Sequence, residues 1–283
     1  MTEAKLIPPP PPPPPSAPAR RARITPLPPQ FPNDWAVAFG EDLHGLWQAF
    51  EVAGVRQVMR WIPPGTFTMG SPETEPGRWD RETEHTVRLT AGIWLADTPC
   101  TQALWATVIG GANPSHFNDH LQNPVEQVSW VDVVDEFLPR LNAQVPGLAA
   151  MLPTEARWEY ACRGDTEHNT PFWFGDQIDS DQVNFDGTAT LPVKALPCNG
   201  WGLYQMHGNV WERCSDWFAL YPAGETEEDP AGPSDAPTES AGRVLRGGGC
   251  FGEARYCRSA ARDAADPSGR SLGIGFRLAR AAS

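Results

Sequence analysis

Between Gly200 and Trp217 the chain reads Gly-Trp-Gly-Leu-Tyr-Gln-Met-His-Gly-Asn-Val-Trp-Glu-Arg-Cys-Ser-Asp-Trp, with three tryptophans and three glycines in eighteen residues. No helical or strand period runs through it. Glycine permits backbone turns and close approaches that other residues resist. Tryptophan brings a large area to bury and one N–H that needs a partner. The stretch therefore reads as an irregular but firmly packed core segment. Two roles stay open for it: a loop that nucleates packing, or a loop whose carbonyls and acids hold a metal.

A head of low complexity precedes the globular part. Pro8 to Pro15 is an unbroken proline run, followed by Arg20, Arg21 and Arg23. Such a run favours extended polyproline II and builds no core. Residues 1–30 are expected to be a disordered tether, or a ligand for a proline-binding domain. That leaves about 250 residues, enough for one large domain, expected over 31–283. The N-terminus lacks the apolar core of a signal peptide, and no apolar run approaches a membrane span. A cytoplasmic protein without membrane contact is expected. The net charge of −13 argues against nucleic-acid binding. It is unevenly spread, since residues 243–283 carry eight arginines and only three acids. These arginines either face an acidic partner or pair with acids elsewhere in the fold. The six cysteines show neither a CxxC nor zinc-finger spacing, and free cysteines in such a chain are mostly small buried hydrophobes.

Regular elements are legible at intervals. Leu46–Val52 and Val55–Ile62 read as strands joined at Ala53-Gly54, forming an N-terminal hairpin extension over 31–62. Thr66–Ser71 and Thr86–Thr90 read as short strands, with an acidic surface loop over 72–84 between them. Thr101 opens a short helix that Gly110-Gly111 ends. Ser129 and Asp132 form a capping box. Trp130, Val133, Val134, Phe137, Leu138 and Leu141 then mark one apolar helix face, which Pro139 should kink or end. Thr154 caps a third helix, with Trp158 and Cys162 facing inward. From 165 to 242 periodicity nearly stops, and 222–242 reads as an exposed excursion. Arg243–Gly248 and Gly275–Arg280 read as strands placed to pair.

Six segments resemble the formylglycine-generating enzyme, or sulfatase-modifying-factor, family, and they fall in that family's order. They are Gly65–Gly70, Asn123–Val125 with Val128–Trp130, Leu152–Ala161, Gly202–Glu212, Arg243–Gly248 and Gly275–Arg277. The resemblance implies an α+β, C-type-lectin-like fold, loop-rich, with short antiparallel strands and two to three helices, over a core of 63–283. It also implies structural calcium in two places. One matches Asn184 and Phe185, with Asp186 nearby; the other matches Gln205, Gly208, Val210 and Glu212. Calcium takes six to eight oxygens, backbone carbonyls included, so an irregular loop suits it. Gln205 is neutral where many relatives carry Asp or Asn.

Active members of that family oxidise a sulfatase cysteine to formylglycine at copper(I) held by two cysteines. Soft thiolates select that ion. Aligned from Gly247-Gly248, the second cysteine falls on Cys257, beside Tyr256, but the first falls on Gly252. Cys250 is the remaining candidate thiol. The six histidines are scattered, and His207 reads as a satisfied core residue. The C-terminal frame, Arg258–Arg262, Asp266–Arg270 and Gly273–Arg277, is similar to that of non-catalytic relatives, among them variable proteins of diversity-generating retroelements, which display residues there. Gly249, Cys250, Phe251, Gly252, Glu253, Arg255, Tyr256, Asp263, Ala264, Ala265, Ser271, Leu272 and Gly273 occupy those positions. Aromatic, small and polar residues suit an adaptable binding face. The expected function is a binding module for a protein or small molecule, with Cys250, Phe251, Gly252, Glu253, Arg255, Tyr256, Asp263, Ser271 and Leu272 as its surface. The alternative is the copper oxidase, with Cys257, Cys250 and Tyr256 catalytic.

Overall fold

The structure is a computed structural model that describes residues 26–164, 169–222, 224, 226–239 and 241–282. The proline run and Arg20, Arg21 and Arg23 lie outside the described residues. In chain order the strands before the first helix are β1 (Ala38–Asp42), β2 (Gly45–Val52), β3 (Val55–Ile62), β4 (Gly65–Met69), β5 (His85–Leu89) and β6 (Ile93–Ala96). The helices α1 (Gln102–Ile109), α2 (Leu138–Gln144) and α3 (Glu155–Arg163) follow. Then come β7 (Trp211–Trp217), β8 (Glu227–Glu228), β9 (Arg243–Arg246), β10 (Arg262–Ala265), β11 (Ile274–Phe276) and β12 (Ala279–Ala281).

The local signals hold where they are strongest. Ala53 and Gly54 take φ of 45° and 84°, the double left-handed turn that suits a two-residue hairpin. Thr101 accepts from the Leu104 N–H at 3.2 Å, and Gly110 closes α1 at φ 78°. Ser129 and Asp132 exchange bonds of 2.8 and 3.0 Å, a complete capping box. Pro139 does not end its helix. The turns over Asp132–Phe137 widen to a π-helix ahead of it, and Pro139 then sits in the first turn of α2, where its missing N–H costs little.

Three sheets organise the body, in the orders β1-β2-β3-β6-β12, β10-β9-β7-β11 and β4-β5-β8. The N-terminal hairpin is not an appendage, because β3 pairs with β6 and so continues into the central sheet. Two strand expectations are corrected. Residues 211–217, which show no strand period, form β7 at the centre of the second sheet. Its pattern is hidden because the buried positions include Glu212, Arg213 and Asp216. The segments around Arg243 and Gly275 do not pair directly: β7 lies between β9 and β11, and the chain then crosses to β6 as β12. Nor is 222–242 wholly exposed, since β8 pairs with β5.

The largest core cluster gathers α1, the π turns and β11. Trp105 stacks on Phe137 at 5.1 Å, and Phe276 meets both rings edge-on, each pair adding about 0.5–1.5 kcal/mol beyond its buried area. Polar pairs carry the rest. Glu159 accepts from Arg163 at 2.6 Å, from the Gly70 N–H at 2.9 Å and from Arg246. Arg246 also donates to the carbonyls of Ser259, Ala260 and Ala261. Burial works against the Arg246 charge, but the Glu159 and Glu155 carboxylates outweigh it and raise its pKa. Removing one partner of such a pair strands the other charge in low dielectric. Arg246→Met is expected to cost about 3–5 kcal/mol in urea unfolding, and Glu159→Gln in the same chain should restore part of it.

Candidate functional site

The C-terminal loop from Gly249 to Cys257 is pinned at its ends and open in its middle. The Cys250 N–H donates to Asn209 O at 2.9 Å, and Cys250 O accepts from the Gly187 N–H at 2.6 Å. Gly252 O accepts from the Asp186 N–H at 2.9 Å. A 3-10 turn over Ala254–Cys257 follows, and it drives Cys257 into the core. Between these anchors side chains alternate: Phe251, Glu253 and Arg255 are exposed, while Gly252, Ala254 and Tyr256 are half-buried.

Other segments bring aromatic rings to the same face. Tyr256 meets Trp79 edge-on at 5.7 Å and Trp211 at 6.2 Å. Phe251 lies 5.7 Å from Phe117 and packs beside Gly273. Arg81 sits 4.0 Å over the Trp79 ring and pairs with Asp263 at 3.3 Å. Arg255 lies 5.0 Å over Tyr256. The structure thus brings Phe251, Gly252, Glu253, Arg255, Tyr256 and Asp263 to one face, and Ser271 and Leu272 lie in the turn just before Gly273. Cys250 does not belong to the surface, being fully buried. Trp79, Arg81, Phe117 and Trp211 are the members that sequence reasoning missed. The available signal was an aromatic residue inside an otherwise polar surface loop, as at Trp79 and Phe117.

The thiols are all free. Cys250 and Cys257 are both 0% exposed. Burial pushes the Cys250 thiol up to about 11. Burial, and then the neighbouring Cys162 and Cys250, push Cys257 up to about 12. Gly252, at the family's first cysteine, offers no ligand atom. These residues do not fit a two-thiolate copper(I) site. Tyr256 belongs to the aromatic face. His207 is the satisfied core residue expected: its Nδ1–H donates to Cys257 O at 2.6 Å, its Nε2 accepts from the Trp173 N–H, and burial lowers its pKa to about 4.

Of the residues matched to calcium, Asn184 and Gly208 lie side by side. Asn184 and Gly208 bridge in parallel, the Asn209 N–H donates to Asn184 O at 2.9 Å, and the Asn184 amide donates to Asn209 Oδ1 at 3.1 Å. Phe185 packs in a small apolar cluster with Cys257, and Asp186 supports Gly252 through its backbone. Gly208 has φ of 71°, and a Cβ there would fall 2.4 Å from Asn184 O, so glycine is required. Val210 is core. Glu212 is fully buried, and both its oxygens accept from Arg277 (2.8 and 2.9 Å), one also from Trp158 Nε1 at 2.7 Å. Gln205 Oε1 is buried with no hydrogen-bond partner among the described residues, and Asp186 is an exposed carboxylate. Glu212, already neutralised by Arg277, is not available as the charged oxygen that tightens calcium binding. Glu212→Ala is expected to lower the melting temperature sharply by stranding Arg277, and EDTA is expected to leave melting of both proteins unchanged. A calcium-dependent rise in wild-type melting would contradict this.

With this geometry in hand, comparison with known proteins locates the chain. It is 35% identical to the formylglycine-generating enzyme of Mus musculus, over 62% of this chain and 51% of the mouse protein. It is 38% identical to that of Streptomyces coelicolor, over 56% of this chain and 52% of the relative. The chain spans about half the length of these curated relatives. Among solved structures it superposes on Treponema denticola variable protein 1 with a TM-score of 0.71 and 28% identity, covering 82% of this chain and 98% of that one. The model of the sulfatase-modifying factor enzyme 1-like domain matches residues 48–282, and the chain belongs to that family, with its α+β, C-type-lectin-like fold.

Proposed function

We propose that this is a catalytically divergent member of the family, acting as a binding module for a protein or small molecule through the face built on Phe251, Glu253, Arg255 and Tyr256. One observation carries the reading: a loop clamped at Cys250, Gly252 and Cys257 presents alternate side chains over a floor of Trp79, Tyr256 and Trp211. Aromatic and arginine side chains dominate binding energy at interfaces, and a loop already ordered loses little entropy on binding. The likeness to a variable protein supports a diversified surface. In that version the gene would lie beside a reverse-transcriptase gene and a near copy of its own 3′ end. The proline-rich head would act as a tether or meet a proline-binding domain. The identity to formylglycine-generating enzymes favours the second reading, a copper-dependent oxidase acting on a sulfatase cysteine.

A displayed peptide library panned on the protein tests the first reading. Enriched binders are expected to lose about tenfold or more in affinity on Trp79→Ala or Tyr256→Ala. Binders indifferent to both would move the binding site elsewhere. In parallel, a cysteine-containing sulfatase peptide with copper(I) and oxygen is expected to remain unoxidised. Aldehyde formation that disappears in Cys257→Ser would establish the oxidase instead.

A further inference from the structure

Away from the aromatic face, residues 219–222 and 227–233 fold back over the N-terminus of α3 and the end of β7. They roof a cavity of about 450 Å³ that shares no lining residue with that face. Its walls are largely apolar, with Met69, Trp217, Leu220, Pro222, Pro230 and Pro233 among them. Leu220 stands 75% exposed at the edge.

The charged groups around the cavity are Glu155, Glu227, Arg262 and Asp216. Glu155 and Arg262 hold one another. Arg262 grips Glu155 with two bonds of 2.8 and 2.6 Å and spends its last nitrogen on Ala219 O and Arg81 O. Tyr221 donates its hydroxyl to Glu155. Glu227 lies 3.3 Å from His85 Nε2 without a hydrogen bond to it, because the His85 Nδ1–H is given to the Thr83 carbonyl. Asp216 differs. Its Oδ2 accepts from the Glu155 N–H and the Ser215 hydroxyl, both at 2.9 Å, while Oδ1 makes no hydrogen bond among the described residues. The side chain is only 4% exposed and lines the cavity. So among the described residues the cavity offers open carboxylate oxygens, that of Asp216 the buried one, beside an Arg262 already paired with Glu155, against apolar and aromatic walls.

We propose that this cavity binds a small organic ammonium ion, its cationic head on Asp216 Oδ1 and its apolar body against Trp217, Leu220 and the prolines. A buried carboxylate with a vacant acceptor recognises a cation by a charge-assisted hydrogen bond. An anion would meet that carboxylate, with Arg262 already neutralised by Glu155 and four of its five N–H groups bonded. The free amine of a small molecule and the lysine side chain of a partner share this chemistry.

The site is also pH-coupled. Burial, and then the neighbouring Glu155 charge, raise Asp216 to about 7, against the Glu155 and Ser215 hydrogen bonds and the Arg262 charge. Arg243 on β9 feels Asp216, and Cys214 and Tyr221 face the same carboxylates as neutral groups. An ammonium binds the ionised form only, and alkyl amines stay cationic through neutrality. Apparent affinity therefore rises with pH, by about tenfold from pH 6 to pH 8 as the ionised fraction goes from about one tenth to about nine tenths.

Calorimetric titration of the full chain with phenethylamine tests this at pH 6, 7 and 8. The expected result is that rise in affinity, abolished in Asp216→Asn, which keeps an oxygen for the Glu155 N–H, and weakened severalfold in Leu220→Ser. Phenylacetate is expected not to bind. Nα-acetyl-lysinamide is the second arm: pH-dependent binding of it as tight as the aralkylamine assigns the site to a partner's lysine, and weaker binding to a free amine. Affinity that is flat across this pH range, equal in Asp216→Asn, or matched by phenylacetate overturns the proposal. If Asp216→Asn does not fold, the wild-type pH profile and Leu220→Ser decide it.

Discussion

Glu159 holds three separate parts of the chain with one carboxylate. Arg246 reaches it from β9, Arg163 from one turn further along α3, and the Gly70 N–H from the end of β4. The same helix presents Glu155 one turn earlier, where it grips Arg262 of β10. Two further pairs repeat the device: Arg277 with Glu212, and Arg258 with Glu75 and Glu82. The cost of burying such charges is repaid only where every donor and acceptor is used, and these guanidiniums also cap backbone carbonyls in their neighbourhood. Arg246 alone takes those of Ser259, Ala260 and Ala261. In a body with few helices and short strands, these side chains satisfy carbonyls that regular ladders would otherwise satisfy.

This network explains why the binding loop can be both fixed and changeable. Arg258, the residue after Cys257, is clamped by Glu75, Glu82 and the Gly77 carbonyl. Arg246 ends the strand that leads into Gly247-Gly248. The loop between them hangs on two buried guanidiniums and on backbone bonds to Asn209, Gly187 and Asp186. None of those anchors uses the side chains of Phe251, Glu253 or Arg255. Substitution at these exposed positions changes the chemistry of the face without touching what holds it, so that chemistry and the stability of the fold are separable.

The sequence was legible where one local rule decided the outcome. Thr101 with Gly110, Ser129 with Asp132, Ala53 with Gly54, and Thr154 ahead of α3 each act through neighbours a few residues away. It was opaque where a distant partner decided. Glu212, Arg213 and Asp216 made β7 look like a loop, because a charge reads as surface until its partner is known, and those partners lie at Arg277, at the Val128 and Gly269 carbonyls, and at the Glu155 N–H. β1 was missed for another reason: its five residues include two acids and a glycine and bury little. The C-terminal loop was found through resemblance, and the reading of its arginines as internal pairs follows from charge balance alone. The floor beneath it, Trp79 and Trp211 with Phe117 beside them, comes from three distant segments and carries no shared pattern.

The Gly200–Trp217 stretch shows the same principle at the point where a metal was expected. A core carboxylate on an irregular loop needs a positive charge, and a divalent ion with backbone carbonyls is one way to supply it. Here Arg277 supplies it. Its guanidinium meets both oxygens of Glu212 and spends its other N–H groups on the Ala96 and Tyr204 carbonyls, while Trp158 Nε1 closes the remaining direction. One side chain thus neutralises the acid and satisfies the loop. Because Arg277 follows β11 and leads into β12, it also locks the last strands to the centre of two sheets. The tryptophan-rich stretch is scaffold, held by a cation that the chain carries within itself.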